Sequence, residues 1–255
     1  MSLKIFDLSG RRALITGSSQ GIGFALARGL AEAGAQIVLN GRNTERLEAA
    51  AEALQNEGAT VRTAAFDATD SQAVAAGVDA VENNFGAIDI LINNAGMQFR
   101  TPLQDFPHEK WHELMRTNID SAFLVGQAVA RHMIGRKSGK IINICSVQSE
   151  LGRPGIAPYA ASKGALKMLT KGMCIDWAGF GIQVNGIGPG YFKTELNQAL
   201  VDNPEFSAWL ENRTPAGRWG DVEELTGAAI FLSSEASSFV NGHILYVDGG
   251  ITASL

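Results

Sequence analysis

Tyr159 and Lys163 stand four residues apart in an Ala-rich stretch, 158–180, that predicts a helix. That spacing puts both side chains on one face. Together they can manage a proton. A free phenol titrates near ~10, too high for an efficient base at neutral pH, and an ammonium alongside favours the phenolate and draws that value down. Ser146 ends an apolar run, 140–145, that reads as a strand. At such a strand end its hydroxyl can hydrogen-bond a substrate oxygen and stabilise the charge growing on it. A group that gives a proton to a carbonyl oxygen, and takes it back in reverse, is what ketone reduction and alcohol oxidation require.

A second cluster is suited to an anion. Thr16-Gly17-Ser18-Ser19-Gln20-Gly21-Ile22-Gly23 lies between an apolar run and a helical stretch that ends near Ala33, with Gly34 as its C-cap. The glycines permit a tight turn, and the backbone N–H groups and positive end of the helix would face a pyrophosphate. Strand, turn and helix together are the context such a motif needs. An NAD site usually has an acidic residue after the second strand, for the adenosine ribose. Here Asn40-Gly41-Arg42-Asn43 has none, and Arg42 can grip a 2′-phosphate through its guanidinium fork. The expected cofactor is therefore NADP(H).

A third motif competes. His108-Glu109-Lys110-Trp111-His112 has the spacing of a zinc hydrolase site. Pro107 and Glu109 suit an exposed helix start instead, and His132 and His243 offer no obvious third ligand. No metal is expected.

The elements that must position these groups alternate. Short apolar runs at 13–16, 36–39, 61–66, 88–92, 140–145, 182–185 and 244–247 read as strands, and the stretches between them are largely helical, including one long helix from about 109 to 133. Strands alternating with helices imply a parallel sheet covered on both faces, and the near-continuous apolar runs agree. The expected fold is α/β: one Rossmann-type, doubly wound parallel sheet of about seven strands, in a single domain spanning 1–255. Residues 194–219 fall outside the alternation and would be a lid over the site. With 45% hydrophobic and 18% charged residues a packed core is expected. The net charge of −5 argues against a nucleic-acid partner. Cys145 and Cys174 read as small core residues suited to a reducing compartment. No apolar run reaches membrane-spanning length and the N-terminus has no signal-peptide pattern, so a cytoplasmic protein is expected.

Gly-x-x-x-Gly-x-Gly, Asn93-Asn94-Ala95-Gly96, Tyr159-x-x-x-Lys163 and Pro189-Gly190 with Thr194 occur in an order that resembles the short-chain dehydrogenase/reductase family. The resemblance implies Asn118, Ser146, Tyr159 and Lys163 as the catalytic group, with Asn118 anchoring a relay water and Lys163 also holding the nicotinamide ribose. It places Asp67 and Ala68 at the adenine, Asn94, Ala95 and Gly96 beside the adenosine ribose, and Pro189, Gly190 and Thr194 at the carboxamide. Many NADP-preferring members carry a basic residue in the glycine turn, where this chain has Gln20. The family is usually tetrameric through the helix bearing the tyrosine, and Ala160, Ala161, Gly164 and Ala165 are small enough for close helix packing.

The pocket loops 97–100 and 147–153 are polar, which disfavours a steroid or long acyl chain. Gln98, Gln148 and Glu150 could bind hydroxyls, and Arg100 or Arg153 a carboxylate. That pattern suggests a small-molecule sugar acid. Residues 143–159, Leu39-Asn40-Gly41-Arg42, 214–220 and the tail 247–252 resemble the bacterial gluconate 5-dehydrogenase branch of the family, which implies reversible reduction of 5-keto-D-gluconate to D-gluconate. Other branches reduce 3-oxoacyl thioesters or other keto-sugars with the same catalytic group.

Overall fold

A computed structural model of the chain describes residues 3–254. Among these, seven parallel strands form one sheet: β1 (Arg12–Ile15), β2 (Gln36–Gly41), β3 (Val61–Ala65), β4 (Ile90–Asn93), β5 (Gly139–Ile144), β6 (Ile182–Pro189) and β7 (Ile244–Val247), in the order β3-β2-β1-β4-β5-β6-β7. The helices are α1 (Gly21–Glu32), α2 (Thr44–Asn56), α3 (Ser71–Asn84), α4 (His108–Met115), α5 (Ser121–Arg136), α6 (Ala157–Trp177), α7 (Gln198–Val201), α8 (Pro204–Arg213) and α9 (Thr226–Ser233).

The continuous apolar runs are explained by what covers each face. Ala13, Ile15, Ile37, Leu39, Ile90 and Ile92 pack under α1, α2 and α9, with Leu26, Leu47 and Ala229 opposite them. The alternate residues Leu14, Val38 and Leu91 pack under α3, α5 and α6, against Val78, Val125 and Met173. Successive side chains of a strand point to opposite faces, so a strand buried on both sides must be apolar throughout. Each fully buried aliphatic side chain contributes about 1.5–3 kcal/mol.

Helix ends follow their residues. Asp70 caps α3 by accepting from the Gln72 and Ala73 N–H groups, and Gly34 takes φ +98° just beyond α1. The helix expected over 109–133 is interrupted. Between α4 and α5 the chain makes one π-helical turn, Arg116–Asp120, with Asn118 buried inside it; such turns concentrate at functional sites. Cys145 is buried as expected, whereas Cys174 is only half-buried, and both thiols are free.

Strand order reverses between β1 and β4, and the loops that leave these two strands diverge there. Such a switch point is where open α/β sheets bind ligands. Beneath it, a buried chain of hydrogen bonds docks α6 on the sheet: Asn93 Nδ2 donates to Asn143 Oδ1 at 2.9 Å, and Asn143 Nδ2 to Thr170 Oγ1 at 2.9 Å. This fixes the helix that carries Tyr159 and Lys163.

Candidate active site

The glycine turn between β1 and α1 is locked from beneath. Asn94 Nδ2 donates to the Thr16 and Gly17 carbonyls at 3.0 and 2.9 Å, and Thr16 Oγ1 accepts from the Asn94 and Ala95 N–H groups, both at 3.0 Å. Gly17 and Gly21 hold φ near +60°, a region open to glycine. A Cβ on Gly23 would stand 2.5 Å from Asn94 Nδ2 and 2.6 Å from the Gly17 carbonyl oxygen. The turn is therefore a bare backbone cradle at a helix N-terminus, the geometry that fits an anion. Ser18 belongs to its foundation. Its hydroxyl is buried, donating to the Ile15 carbonyl at 2.7 Å and accepting from the Asn40 N–H at 3.0 Å.

A crevice of about 290 Å³ runs from this turn across the C-terminal ends of the strands. It is lined by Gly17, Gln20, Gly21 and Ile22, by Asn94, Ala95 and Gly96, by Ser146, Tyr159 and Lys163, and by Pro189, Gly190 and Thr194. Ser19, Arg42, Asp67 and Ala68 are outside this lining. Ser19 adjoins the turn beside Gly41. Asp67 is held by the Thr69 N–H and hydroxyl, each at 2.8 Å, and Arg42 reaches Asp67 at 3.8 Å with 79% of its side chain exposed. Burial raises the Asp67 carboxyl, but Thr69, Arg42 and Arg116 together hold it below the ordinary value. Ala68 is buried.

At the catalytic end, Lys163 is buried and donates to the Ile144 carbonyl at 2.7 Å. Its ammonium lies 5.7 Å from the centre of the Tyr159 ring. Ser146 hydrogen-bonds Tyr159 and accepts from the Gln148 N–H at 3.1 Å. The expectation that Lys163 lowers the Tyr159 pKa is not met. Burial pushes Tyr159 above its ordinary value; Ser146 and then the Arg100 charge oppose the rise, and Lys163 is not among the opposing groups. Burial likewise pulls Lys163 down to about 8, because a charge withdrawn from water is penalised whichever its sign.

Asn118 is fully engaged by its side chain. Its Oδ1 accepts from the Met97 N–H at 2.8 Å, and its Nδ2 donates to the Met97 carbonyl and to Ser162 Oγ, at 3.0 and 2.9 Å. Ser162 in turn donates to the Tyr159 carbonyl at 2.7 Å. Asn118 thus ties the loop after β4 to the catalytic helix.

Beyond Tyr159 the crevice is polar. Gln98, Arg100, Gln148 and Arg153 all line it, and Arg100 donates to Gln98 and Asn197 at 3.2 and 3.0 Å. Arg100 Nε, Arg153 Nε and Gln148 Oε1 are buried without a hydrogen-bond partner. Unpartnered buried polar atoms are costly. Glu150, the other expected hydroxyl binder, is not in the lining. It is exposed and turned outward, where it pairs with Lys167 and accepts from the Tyr246 hydroxyl at 2.9 Å.

His108 and His112 are exposed at the start of α4. Among the described residues no three His, Cys, Asp or Glu side chains gather as a ligand set.

A family model described as Enoyl-(Acyl carrier protein) reductase matches residues 17–252. The chain is 62% identical to the gluconate 5-dehydrogenase of Gluconobacter oxydans (strain 621H) over 251 residues, 98% of each chain. The chain belongs to the short-chain dehydrogenase/reductase family. It is also 56% identical to the 5-keto-D-gluconate 5-reductase of Escherichia coli (strain K12), over 98% of this chain and 99% of the other. A crystal structure of a gluconate 5-dehydrogenase from Burkholderia cenocepacia J2315, in complex with NADP and tartrate, matches the whole fold with a TM-score of 0.98 at 62% identity, covering 100% of both chains.

Three side chains at this short-chain dehydrogenase/reductase site escaped the sequence reading. Arg46, on the first turn of α2, reaches Gln20 of the glycine turn at 3.5 Å. Asn197 meets Arg100. Tyr191 lines the crevice just after Pro189-Gly190. For the first, the available signal was a second arginine close behind Arg42, in the first turn of the helix that Asn43 caps. The other two depend on a loop fold with no periodic pattern.

Proposed function

We propose that this protein is a cytoplasmic NADP-dependent gluconate 5-dehydrogenase, catalysing reversible hydride transfer between NADPH and 5-keto-D-gluconate to give D-gluconate. The observation that carries the reading is the pairing of two features in one crevice: the Ser146–Tyr159–Lys163 group beside the glycine cradle, and two guanidinium groups beyond it with unpartnered buried Nε atoms. A sugar acid offers a carboxylate for the guanidiniums, hydroxyls for Gln98 and Gln148, and a carbonyl oxygen for Ser146 and Tyr159. A long acyl chain would leave those polar groups unpaired.

The cradle at Gly17, Gly21 and Gly23 would hold the pyrophosphate, and Arg42 the 2′-phosphate, with Arg46 beside it. Asn94, Ala95 and Gly96 flank the adenosine ribose, and Pro189, Gly190 and Thr194 the carboxamide. Bound there, NADPH supplies the hydride. Ser146 holds the ketone oxygen, and Tyr159 gives it a proton as that oxygen gains charge. In the reverse direction Tyr159 accepts the proton from the hydroxyl. Its raised pKa keeps it protonated at neutral pH, which favours its role as the acid in reduction. Lys163 holds the nicotinamide ribose and feeds the proton relay. The Asn118 side chain is spent on Met97 and Ser162, so the relay water falls to its main-chain carbonyl.

Residues 194–219 act as a lid on the single domain. Residues 194–197 border the crevice, and Phe206 and Trp209 of α8 pack against Tyr191 at 5.8 and 6.3 Å between ring centres. The outer face of α6, with Ala161, Ala165 and the exposed Met168 and Ile175, supports assembly into a homotetramer. Among the described residues no helix is long and apolar enough to cross a membrane, and the two free thiols suit the cytoplasm.

The test is nicotinamide absorbance during reduction of 5-keto-D-gluconate, with NADPH and NADH in parallel. Fast oxidation of NADPH with NADH poor is the expected result. Tight NADPH binding without turnover would discard the substrate, and keto-sugars and oxoacyl thioesters would be tried next.

A further inference from the structure

Asn197 closes a short 3₁₀ turn, Glu195–Asn197, at the start of the lid segment, and both ends of its side chain are used. Its Oδ1 accepts from Arg100 Nη2 at 3.0 Å, and its Nδ2 donates to the Phe192 carbonyl at 3.1 Å. Among the described residues, the bond to Arg100 is the one hydrogen bond that joins residues 194–219 to the loop 94–106. It crosses a gap. Arg100 lies on the loop that leaves β4 and Asn197 on the segment that leaves β6, and β5 runs between those strands in the sheet. The two strand ends therefore stand two strand spacings apart, about 10 Å. The strand between them leads to Ser146, which lines the crevice together with Arg100 and Asn197.

Each end of the bond is anchored. Phe192 is buried, and the backbone around it is pinned: the Lys193 N–H donates to the Gly220 carbonyl at 3.0 Å and the Gly220 N–H to the Tyr191 carbonyl at 2.9 Å. A Cβ on Gly220 would stand 2.6 Å from the Phe192 ring, so the two segments cannot move apart or together without repacking. On the other side, Arg100 Nη2 also donates to Gln98 Oε1 at 3.2 Å. A terminal guanidinium nitrogen carries two N–H groups, so both of those on Nη2 are committed and the guanidinium plane is set by Gln98 and Asn197. An amide can accept with its oxygen while donating with its nitrogen, which is what a link between Arg100 and a backbone carbonyl requires. Where that guanidinium stands bears on the reaction: burial raises the Tyr159 phenol, and after Ser146 it is the Arg100 charge that opposes the rise.

We propose that Asn197 is a positioning residue, a tether that ties the lid to the loop after β4 and holds Arg100 at the substrate end of the crevice. The inference rests on the lid and sugar-acid readings above and deepens them, because it makes the closed lid and the placement of Arg100 one event rather than two. Small displacements of a positioning group are costly in rate, so loosening the tether degrades substrate binding first and turnover second, while Ser146 and Lys163 stay in place.

The experiment uses variants of the full chain. Asn197→Ala removes both bonds. Asn197→Asp keeps the acceptor for Arg100 and removes only the donor to Phe192. Hydrogen exchange followed by mass spectrometry reads the tether without any substrate. In Asn197→Ala, exchange should quicken about tenfold in residues 195–202 and about threefold across the crevice in residues 97–101, with α6 unchanged. In Asn197→Asp both segments should stay within about twofold of the wild type. Arg100→Ala should reproduce the quickening in 195–202, and adding Asn197→Ala to it should change little further. In turnover, Asn197→Ala should raise the KM for 5-keto-D-gluconate about tenfold and lower kcat about threefold, with the Kd for NADPH within about twofold and most of the loss restored in Asn197→Asp. Exchange that quickens in 195–202 alone, or an Asn197→Asp variant that behaves like Asn197→Ala, overturns the proposal, since either leaves Asn197 as a support of its own turn. An unchanged KM in Asn197→Ala overturns it as well. Coupled exchange across the crevice in a chain whose wild type does not reduce 5-keto-D-gluconate supports the tether and overturns the substrate reading alone.

Discussion

At one end of the crevice Lys163 donates to Ile144, Ser146 meets Tyr159, and every polar atom of the Asn118 side chain has a partner within the protein. At the other end Arg100, Gln148 and Arg153 each retain a buried polar atom with none. Both ends are lined by side chains of similar polarity, yet one is complete and the other incomplete. The completed end is preorganised: its groups are held in position before any substrate arrives, which lowers the cost of reaching the transition state. On the sugar-acid reading proposed above, the polar side chains that line this end take their partners from the ligand, so a molecule lacking the matching groups leaves them unsatisfied. That is how a polar pocket discriminates strongly.

The sharpest way to break this contrast is at Tyr159. Tyr159→Phe keeps the ring and removes the proton donor, so kcat should fall by about 10³-fold or more while NADPH binds as before. Stopped-flow absorbance with parallel fluorescence titration of NADPH checks it, and retained turnover would remove Tyr159 from proton transfer. At the opposite end, Arg100→Gln should lower kcat/KM for 5-keto-D-gluconate by about fifty-fold, the range of a lost charge-assisted hydrogen bond. Part of that loss should appear in kcat, because the Arg100 charge also helps hold down the Tyr159 phenol. An effect confined to KM would separate Arg100 from the proton.

The pH profile tests the completed end without mutation. Tyr159 lies above its ordinary value and Lys163 is drawn down to about 8. Oxidation of D-gluconate needs the deprotonated phenol. Below its pKa that fraction grows tenfold per pH unit, so kcat for oxidation should rise about tenfold per unit from pH 6 to 8. Reduction needs the protonated phenol and should be flat over the same range. Steady-state profiles in both directions decide it, and a flat oxidation limb between pH 6 and 8 would place the controlling group elsewhere.

The same contrast explains what could be read from the sequence. The glycine turn, the seven strands and the Tyr159–Lys163 face depend on local chemistry and short-range periodicity, so residue type and spacing suffice. The break in the helix at Asn118 was missed because a π-turn keeps the chain helical and has no start or stop signal of its own, although Thr117-Asn118-Ile119-Asp120-Ser121 is a weak helix-forming run; burial of Asn118 against Met97 and Ser162 is a tertiary demand. Glu150 was misplaced because it sits among pocket residues in sequence, while a 3₁₀ turn at Val147–Ser149 rotates it out toward Lys167 and Tyr246. The rise at Tyr159 was not legible because it comes from burial, a tertiary property that residue spacing does not report.

The adenosine side of the crevice lies between these extremes, and it gives the smallest expected effects. Arg42 is largely exposed and only loosely paired with Asp67, so water screens whatever it holds. Arg42→Ala should weaken NADPH about tenfold and NADH by less than twofold. Arg46 is also exposed and is steered toward the glycine turn only by a long bond to Gln20. Arg46→Ala should therefore weaken NADPH about threefold, again with little change for NADH. Gln20 is uncharged, so if Arg46 takes the place of a basic residue in the turn, Gln20→Ala should reproduce part of the Arg46→Ala loss and add little to it in the double variant. Equal losses for NADPH and NADH in either arginine variant would mean that the side chain supports the turn rather than the 2′-phosphate. Titrations with 2′,5′-ADP and 5′-AMP separate those outcomes, because only the first carries the group the arginines would hold.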